Sequence, residues 1–212
     1  QYPQASTVTY VADLSDMAQV QTLAQSVLSD LQQADKVLDV LINNAGVYKL
    51  ADITTKEGLD ARFAVNTIAP YLLTKLLLPV MNVQSRVVNV SSAAQSSVNF
   101  ESLVGNKPLS DSAAYAQSKL AITMWSRHLG LALKGAGPLV ISVNPKSLLG
   151  SKMVKDAYGL DGGDLKLGAD IFCRAALSDE FKDATGLYFD NDAERFAPPH
   201  PDALNNAKNQ QL

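Results

Sequence analysis

Short β-branched runs alternate with longer stretches of helical periodicity along this chain, and that alternation most narrows the folds it can adopt. Three of the runs, Val37–Ile42, Ser85–Ser91 and Pro138–Val143, are apolar through most of their length, which is typical of strands buried on both faces of a sheet. Two shorter runs, Thr7–Ala12 and Gly186–Asp190, also have the composition of strands. Strands that alternate with helices predict an α/β fold, a doubly wound and mostly parallel sheet with helices on both faces.

Two helices are expected in the first half of the chain, because apolar residues recur there three and four positions apart. The first spans Met17–Leu31, and Asp13 or Ser15 can cap its start. The second is long, about Thr55–Asn82, and Pro70 lies inside it as a candidate kink.

The second half of the chain predicts two further helices, Ser112–Lys134 and Gly168–Ser178. The loop over residues 93–111 is rich in Ser, Asn and Gly, and it is long for a compact domain, which favours a functional loop. Residues 150–163 are bounded by glycines, and we expect a flexible segment there.

Composition limits the class of protein. With 212 residues, 47% apolar and 18% charged, the chain is long enough for one good-sized core, and we predict a single domain over residues 1–212. The net charge of -3 and the scattered basic residues provide no electrostatic footprint for a nucleic acid. The longest apolar run, Ile68–Met81, is interrupted by Lys75, and no basic-then-apolar leader opens the chain. These features predict no membrane span and a cytoplasmic location.

Cysteine and histidine give no sign of a disulfide or a metal site. The single Cys173 lies in a predicted helix, where we expect a buried structural thiol, and it fits a reducing compartment. His128 and His200 lack the partner spacing of metal ligands. We therefore predict that the protein binds no metal.

Small and polar residues follow four of the predicted strands at the point where each ends. These residues are Asp13, Asn43–Gly46, Ser91–Ser92 and Asn144–Pro145. Ligands of open parallel sheets bind at the carboxyl ends of the strands. Asx, Gly and Ser also make good turns and caps, which is the alternative explanation for any one cluster. Four clusters together favour a ligand site.

Tyr115 and Lys119 are four residues apart in a predicted helix, so their side chains share one face. A phenol loses its proton near pH 10 in water, and a fixed positive charge nearby lowers that pKa. Such a pair can serve as an acid/base near neutral pH. Taken alone the pattern is weak, because Tyr and Lys at this spacing are common on solvated helix faces.

Five motifs together resemble the short-chain dehydrogenase/reductase family in content and order. They are Asp13–Leu14, Asn43–Gly46, Asn66, Val87–Ser92 and Tyr115–Lys119, and they cover nearly the whole chain. The resemblance implies a Rossmann-like fold and NAD(P)-dependent hydride transfer between an alcohol and a ketone or aldehyde. The long separation of Ser92 and Tyr115 is similar to that of the retinol-dehydrogenase-like branch.

The resemblance also implies roles for four catalytic residues. Tyr115 would exchange a proton with the substrate oxygen, and Ser92 would hydrogen-bond that oxygen. Ser91 is the rival for the second role, and we prefer Ser92 because the family places its serine there. Lys119 would lower the Tyr115 pKa and bind the nicotinamide ribose. Asn66 would hold a water that links Lys119 to bulk solvent.

A second set of residues would bind the cofactor, NADP or NAD, and the choice between the two is not readable from these residues. By the resemblance, Asp13 would meet the adenine amino group and nearby residues would line the adenosine ribose and the nicotinamide. The full set is Asp13, Leu14, Asn43, Ala45, Gly46, Tyr115, Lys119, Pro145 and Leu148.

The substrate implied by the resemblance is a small-molecule alcohol or carbonyl compound. Its pocket would lie between the loop after Ser92 and residues 150–163, and the side chains there make an apolar pocket the expectation. These side chains are Phe100, Leu103, Leu149, Met153 and Tyr158. The helices that start near Thr55 and Ser112 are the faces on which many family members form dimers, so a homodimer is compatible with the sequence.

The chain departs from the family at two places. Pro145 is followed by Lys146 where the family usually has glycine, and a Lys disfavours the positive φ that a glycine can take there. The family also opens with a strand, a glycine-rich phosphate loop, a helix and a second strand, whereas no glycine precedes Gly46 here. The sheet would lack that first strand-helix-strand unit.

The missing unit has a structural consequence. In the family's strand order it lies between Thr7–Ala12 and Val37–Ile42, so the first run would have no neighbour and the second an open apolar edge. Either about fifty to sixty further residues precede Gln1 in the whole protein, or the chain is a short form that serves as a non-catalytic scaffold or regulatory module. We favour the first, because the catalytic set is intact.

Overall fold

The computed structural model describes residues 5–212. Its sheet has five strands in the order β1-β2-β3-β4-β5. The first three pairings are parallel and the last is antiparallel. The strands are β1 (Val40–Asn43), β2 (Arg86–Val90), β3 (Leu139–Asn144), β4 (Tyr188–Asp190) and β5 (Arg195–Ala197). This mostly parallel sheet confirms the predicted α/β fold. Only β5 was not predicted, since three residues carry too little pattern.

Eight α-helices connect and cover the strands among the described residues. They are α1 (Met17–Gln33), α2 (Ala61–Phe63), α3 (Ala69–Leu77), α4 (Phe100–Leu103), α5 (Asp111–Leu133), α6 (Lys152–Tyr158), α7 (Leu165–Leu177) and α8 (Asn206–Gln211). Single 3₁₀ turns lie at Leu78–Val80, Asp179–Phe181 and Pro201–Leu204. The segment predicted to be flexible, residues 150–163, therefore contains a helix.

Helices cover both faces of the sheet, as the sequence predicts. Successive residues of a strand point to opposite faces. Val87 and Val140 pack against α5, whereas Val88 and Ile141 pack against α7. Trp125 of α5 is buried in the same cluster as Val87 and Val140. Each such side chain stabilises the fold by about 1.5–3 kcal/mol.

The long central helix begins later than predicted and is not uniform. Asp60 caps it with a bond from the Arg62 N–H, and the helical residues run from Ala61 to Val80. A π-helical turn, Ala64–Ile68, interrupts the helix just before Pro70. Proline has no N–H to donate to the carbonyl four residues earlier, so a widened turn there is physically reasonable.

The same helix bears on the prediction of no membrane span. Ala61–Val80 has a mean hydropathy of 1.4 and is long enough to cross a membrane, and half of its apolar window is buried inside the protein. The sequence prediction considered only Ile68–Met81 and took Lys75 as a break. The helix packs against α1 and α5, and burial of its apolar side chains there is an explanation of its composition that needs no membrane.

The first predicted strand, Thr7–Ala12, is wrong. Residues 5–13 form no strand, and Val11 is 96% exposed. The physical reason is the one anticipated, because this run has no neighbouring strand to pair with. β1 is confirmed as an edge of the sheet, with Ile42 41% exposed.

Two local predictions are also corrected. Asp16, not Asp13 or Ser15, caps α1 by accepting bonds from the two backbone N–H groups of Ala18 and Gln19. Cys173 is exposed rather than buried. It lies two residues beyond Ile171, and the buried face of α7 is formed by Gly168, Ile171, Ala175 and Ala176.

Candidate active site

A cleft of about 1390 Å³ lies at the carboxyl ends of the parallel strands. Every predicted cluster contributes to its wall: Asp13, Asn44–Gly46, Ser91–Ser92 and Asn144–Pro145. If the four clusters served only as turns and helix caps, nothing would require them to line the same cleft. Their convergence therefore favours the prediction of a ligand site over the alternative of ordinary turns.

Tyr115 lies near the start of α5 and lines this cleft together with Ser92. Ser110 caps the helix by accepting a bond from the Ala113 N–H, which fixes the turn that carries the phenol. Burial raises the Tyr115 pKa, and the neighbouring Ser92 hydroxyl works in the opposite direction. The phenol is therefore protonated at neutral pH in this state.

Lys119 lies one turn along the same helix and is almost completely buried, 3% exposed. Its ammonium donates to the Val90 carbonyl oxygen at 2.7 Å and lies 5.7 Å from the centre of the Tyr115 ring. Burial alone lowers the Lys119 pKa from 10.5 to about 8. The expected lowering of the Tyr115 pKa by Lys119 is not found in this structure: the pKa is raised, and burial of the phenol is the largest cause.

Asn66 is fully buried in the π-helical turn of the central helix. Its side chain bonds to both backbone groups of Val47, at 2.8 and 2.9 Å, and donates to the Ser118 hydroxyl at 3.0 Å. A Cβ on Gly46 would lie 3.5 Å from the Lys119 nitrogen and 3.6 Å from the Asn66 oxygen. Asn66 is thus close to Lys119, and its role in a water relay stays a prediction.

Most of the predicted cofactor residues line the cleft, namely Asp13, Leu14, Ala45, Gly46, Tyr115, Lys119, Pro145 and Leu148. Asn43 is not among the lining residues. Its side chain donates to the Asn89 oxygen at 2.7 Å and to the Thr74 hydroxyl at 3.1 Å, which ties β1 to β2 and α3. Asn44, the next residue, lines the cleft instead.

The backbone is strained at the corner after β3, where Lys146 stands in place of the family's usual glycine. Lys146 has a φ of +124° and Leu148 a φ of +52°, in a region that favours glycine. Asp192 holds this corner by accepting bonds from the Ser147 backbone N–H and from the Asn144 amide, each at 2.9 Å. The strain is therefore compensated by a specific carboxylate.

Sequence reasoning missed two aromatic residues that line the cleft, Tyr48 and Phe172. The ring of Tyr48 lies 5.0 Å from that of Tyr115 and 5.7 Å from that of Tyr158. The Tyr48 pKa is raised to about 12. The main cause is the neighbouring Tyr158 hydroxyl, and burial is the second cause. The position of Tyr48 two residues after Gly46, just past a strand end, was the available signal. Phe100 and Leu103, predicted for the pocket, belong to α4 and do not line the cleft, whereas Leu149, Met153 and Tyr158 do.

A buried ion pair fixes the helix that carries Tyr115. Arg62 is fully buried and donates to both oxygens of Asp60, at 2.9 and 2.6 Å, and to Asp111 at the first turn of α5. The guanidinium thus links the start of the central helix to the start of α5. Buried charges need such partners, because an unpaired one is costly.

Comparisons with known proteins agree with this geometry. The family model described as "short chain dehydrogenase" matches residues 1–158. The chain belongs to the short-chain dehydrogenase family. Retinol dehydrogenase 12 of Bos taurus is 32% identical over 213 residues, which cover 94% of this chain and 65% of that protein. Retinol dehydrogenase 13 of Homo sapiens is 30% identical over 203 residues, covering 87% and 61%. These relatives support the resemblance to the retinol-dehydrogenase-like branch, and this chain spans less than two thirds of their length.

Several solved structures have the same fold. An uncharacterized protein from Mycobacterium paratuberculosis has a TM-score of 0.68 at 26% identity, covering 94% of this chain and 73% of its own. The landomycin C-6 ketoreductase LanV with bound NADP and rabelomycin has a TM-score of 0.63 at 26% identity, covering 85% and 71%. The NADPH-bound carbonyl reductase from chicken fatty liver, at 21% identity and a TM-score of 0.64 with 88% and 75% covered, supports the fold alone.

Proposed function

We propose that the whole protein containing this chain transfers a hydride between NADP or NAD and a small-molecule alcohol, ketone or aldehyde. Tyr115 is the acid/base in this proposal. The observation that carries it is the convergence of the Tyr115 phenol, the Ser92 hydroxyl and the buried Lys119 ammonium on one cleft at the strand ends. Membership of the short-chain dehydrogenase family supports the same chemistry.

The protonation state of Tyr115 favours carbonyl reduction at neutral pH. A reduced nicotinamide, when bound, supplies the hydride that reaches the carbonyl carbon. Tyr115 gives its proton to the carbonyl oxygen, and Ser92 stabilises the charge on that oxygen by a hydrogen bond. Burial keeps the phenol in the protonated form that this direction needs. Alcohol oxidation runs the same steps in reverse and needs the phenolate.

The nicotinamide end of a dinucleotide fits the residues that are present. In the described part of the chain, Lys119 forms no ion pair, and its single recorded acceptor is a backbone carbonyl. An ammonium has three donors, so others are available for ribose hydroxyls. The phosphate end is different, because a glycine-rich phosphate loop is not among these residues. The proposal therefore concerns the whole protein.

Cofactor binding tests this proposal first. Nicotinamide fluorescence and thermal shift with NADPH and NADH would be measured on this chain and on the product of the gene extended upstream. We expect the extended form to bind one of the two and to reduce carbonyl compounds. If it binds neither cofactor, the proposal is wrong.

A non-catalytic scaffold or regulatory short form is the second candidate. The observation that favours it is the positive φ at Lys146, at the corner where the nicotinamide would lie. This candidate predicts that neither form of the protein binds a dinucleotide, although both fold. The same binding experiment separates the two functions.

The substrate is proposed to be apolar. Leu149 and Met153 line the cleft together with Phe172 of α7, so the part of the substrate beyond the carbonyl would meet hydrocarbon surface. A homodimer through α3 and α5 and a cytoplasmic location are proposals that rest on the sequence. Gel filtration with light scattering tests the first, and fluorescence microscopy of the tagged whole protein tests the second.

A further inference from the structure

The Ser92 peptide is held by two side chains that do not line the cleft. The Tyr188 hydroxyl donates to the Ser92 carbonyl oxygen at 3.2 Å, and the Gln95 amide donates to the same oxygen at 2.9 Å. Ser92 lies beyond Val90, the last residue of β2. Because the strand ends there, side chains take over the task of fixing the peptide.

Tyr188 reaches this oxygen from a different part of the sheet. It is the first residue of β4, which is separated from β2 by β3, and it is 6% exposed. Burial raises its pKa well above the ordinary value, and the carboxylates of Asp190 and Asp192 add to the effect. The Tyr188 hydroxyl therefore keeps its proton, and remains a donor, over the pH range in which Lys119 titrates.

Gln95 extends the contact to the helix that carries Tyr115. Its amide nitrogen lies 3.5 Å from the Ser91 hydroxyl, which bonds to the Lys119 carbonyl at 3.2 Å and to the Thr123 hydroxyl at 2.6 Å. A continuous set of bonds thus links β4, the end of β2 and the backbone of α5. Tyr115 and Lys119 are both carried by α5.

The buried Gln95 amide uses only part of its hydrogen-bonding capacity. Its oxygen is buried and finds no hydrogen-bond partner among residues 5–212. An unsatisfied buried oxygen costs free energy, so an apolar side chain at position 95 would be more favourable for packing alone. The hydrogen bond that the Gln95 amide nitrogen donates to the Ser92 carbonyl is what an apolar side chain could not supply.

The Ser92 hydroxyl has two neighbours, the Ala94 backbone and the Tyr115 phenol. Its oxygen accepts a bond from the Ala94 N–H at 3.1 Å, and the same hydroxyl neighbours the Tyr115 phenol and acts to lower the pKa of that phenol. The hydroxyl proton is thus available to be donated towards Tyr115 or a substrate oxygen. The direction of that donation depends on where the Ser92 peptide lies. A shift of the peptide would move the hydroxyl relative to the phenol.

We propose that Tyr188 and Gln95 are positioning residues, which hold the Ser92 peptide so that the Ser92 hydroxyl faces the Tyr115 phenol. This inference rests on the proposed function, because it assigns the two residues a part in the same reaction. It concerns side chains that touch neither the cleft nor a substrate within it.

Tyr188→Phe is the direct test, since it removes only the hydroxyl and retains the buried ring. In the whole protein, with a saturating carbonyl substrate, we expect kcat to fall about tenfold while the KM for the dinucleotide is unchanged. Gln95→Leu should act in the same direction. Tyr71→Phe, on an exposed tyrosine of α3, is the matched control and should leave kcat unchanged.

A double-mutant cycle with Ser92→Ala separates positioning from general destabilisation. If Tyr188 acts through Ser92, the Tyr188→Phe change should have almost no further effect on kcat once the Ser92 hydroxyl is gone. Effects that multiply, or a Tyr188→Phe variant with the parent's kcat, would overturn the inference while leaving the proposed function intact.

A parent protein that binds no dinucleotide and reduces no carbonyl would refute the proposed function instead. The positioning inference is then decided by crystal structures of the parent and Tyr188→Phe. We expect the Ser92 peptide to move in the variant. A Ser92 hydroxyl that keeps its place relative to Tyr115 would refute the inference.

Discussion

The buried ammonium of Lys119 should reduce the stability of the protein on its own, and replacing it with methionine tests this. Lys119→Met keeps a side chain of similar length and removes the charge. The lysine pKa falls from 10.5 to about 8 on burial, and one pKa unit corresponds to about 1.4 kcal/mol. Holding the charged form inside the protein therefore costs about 3 kcal/mol at neutral pH.

Part of the stability gained by removing the buried charge is offset by a lost hydrogen bond. Methionine leaves the Val90 carbonyl without the ammonium donor at 2.7 Å, which costs about 1 kcal/mol. We expect Lys119→Met to raise the free energy of unfolding at pH 7 by about 2 kcal/mol. Activity should be lost in the same variant, because the ammonium is proposed to bind the ribose.

The pH dependence provides the sharper test. Between pH 8 and 10.5 the unfolded chain keeps the Lys119 proton and the folded protein does not, so the parent gains stability as the pH rises through this window. The variant has no such group, and its advantage should shrink across the same window. Urea unfolding followed by circular dichroism at pH 7, 9 and 10.5 measures both.

Lys75→Met, on an exposed lysine of α3, is the matched control, and we expect almost no change in stability from it at any pH. A Lys119→Met variant that is less stable than the parent at pH 7 would refute the reasoning. So would a difference between the two proteins that does not change from pH 7 to pH 10.5.

Three other predictions concern Gly46, the Arg62 ion pair and the charge of Lys119. A Cβ on Gly46 meets the Lys119 nitrogen at ordinary contact distance, so Gly46→Ala should fold normally but bind NAD(P)H more weakly; equal affinity by fluorescence titration would contradict this. Arg62→Ala should lower the free energy of unfolding by about 2–3 kcal/mol, because it removes a fully buried side chain and leaves the mostly buried Asp60 carboxylate unpaired, whereas Asp111 is partly exposed and can be hydrated. Arg174→Ala, which breaks a half-exposed ion pair, should cost less than about 1 kcal/mol; similar costs in urea unfolding would refute the claim. Carbonyl reduction should decline as the pH rises through about 8, where Lys119 loses its charge; a rate that stays constant from pH 6 to 10 would exclude a need for that charge.

The sequence predicts the sheet well because its main strands come from runs that are apolar through most of their length. Pro138–Val143 becomes β3, in which every residue is buried, whereas Val37–Ile42 forms the open edge strand and is only partly buried, with Val37 and Ile42 exposed. Thr7–Ala12 has a similar composition, but a strand also needs a partner, and composition says nothing about whether the partner is present. The failure of that one element is therefore a failure of context and not of local preference.

The candidate site also contains features that the sequence predicts and features that it does not. The positions of Tyr115, Ser92 and Gly46 are predictable, because strand ends and helix faces bring them together by topology alone. The contacts of Asn43 and Tyr48 are not, since the direction of a side chain at a strand end, or just beyond it, depends on neighbours far away in sequence. The Tyr115 pKa illustrates the limit best, because burial raises it more than the Ser92 hydroxyl lowers it, and only the folded structure shows how deeply the phenol lies.

Deuterium transfer tests the central claim of hydride transfer with Tyr115 as the acid most directly. The whole protein would be incubated with a carbonyl compound and NAD(P)H deuterated at the nicotinamide carbon that carries the hydride, and the alcohol would be analysed by mass spectrometry. We predict an alcohol one mass unit heavier from the parent and almost none from Tyr115→Phe. An alcohol without deuterium, or deuterium transfer by Tyr115→Phe at the parent's rate, would contradict the account.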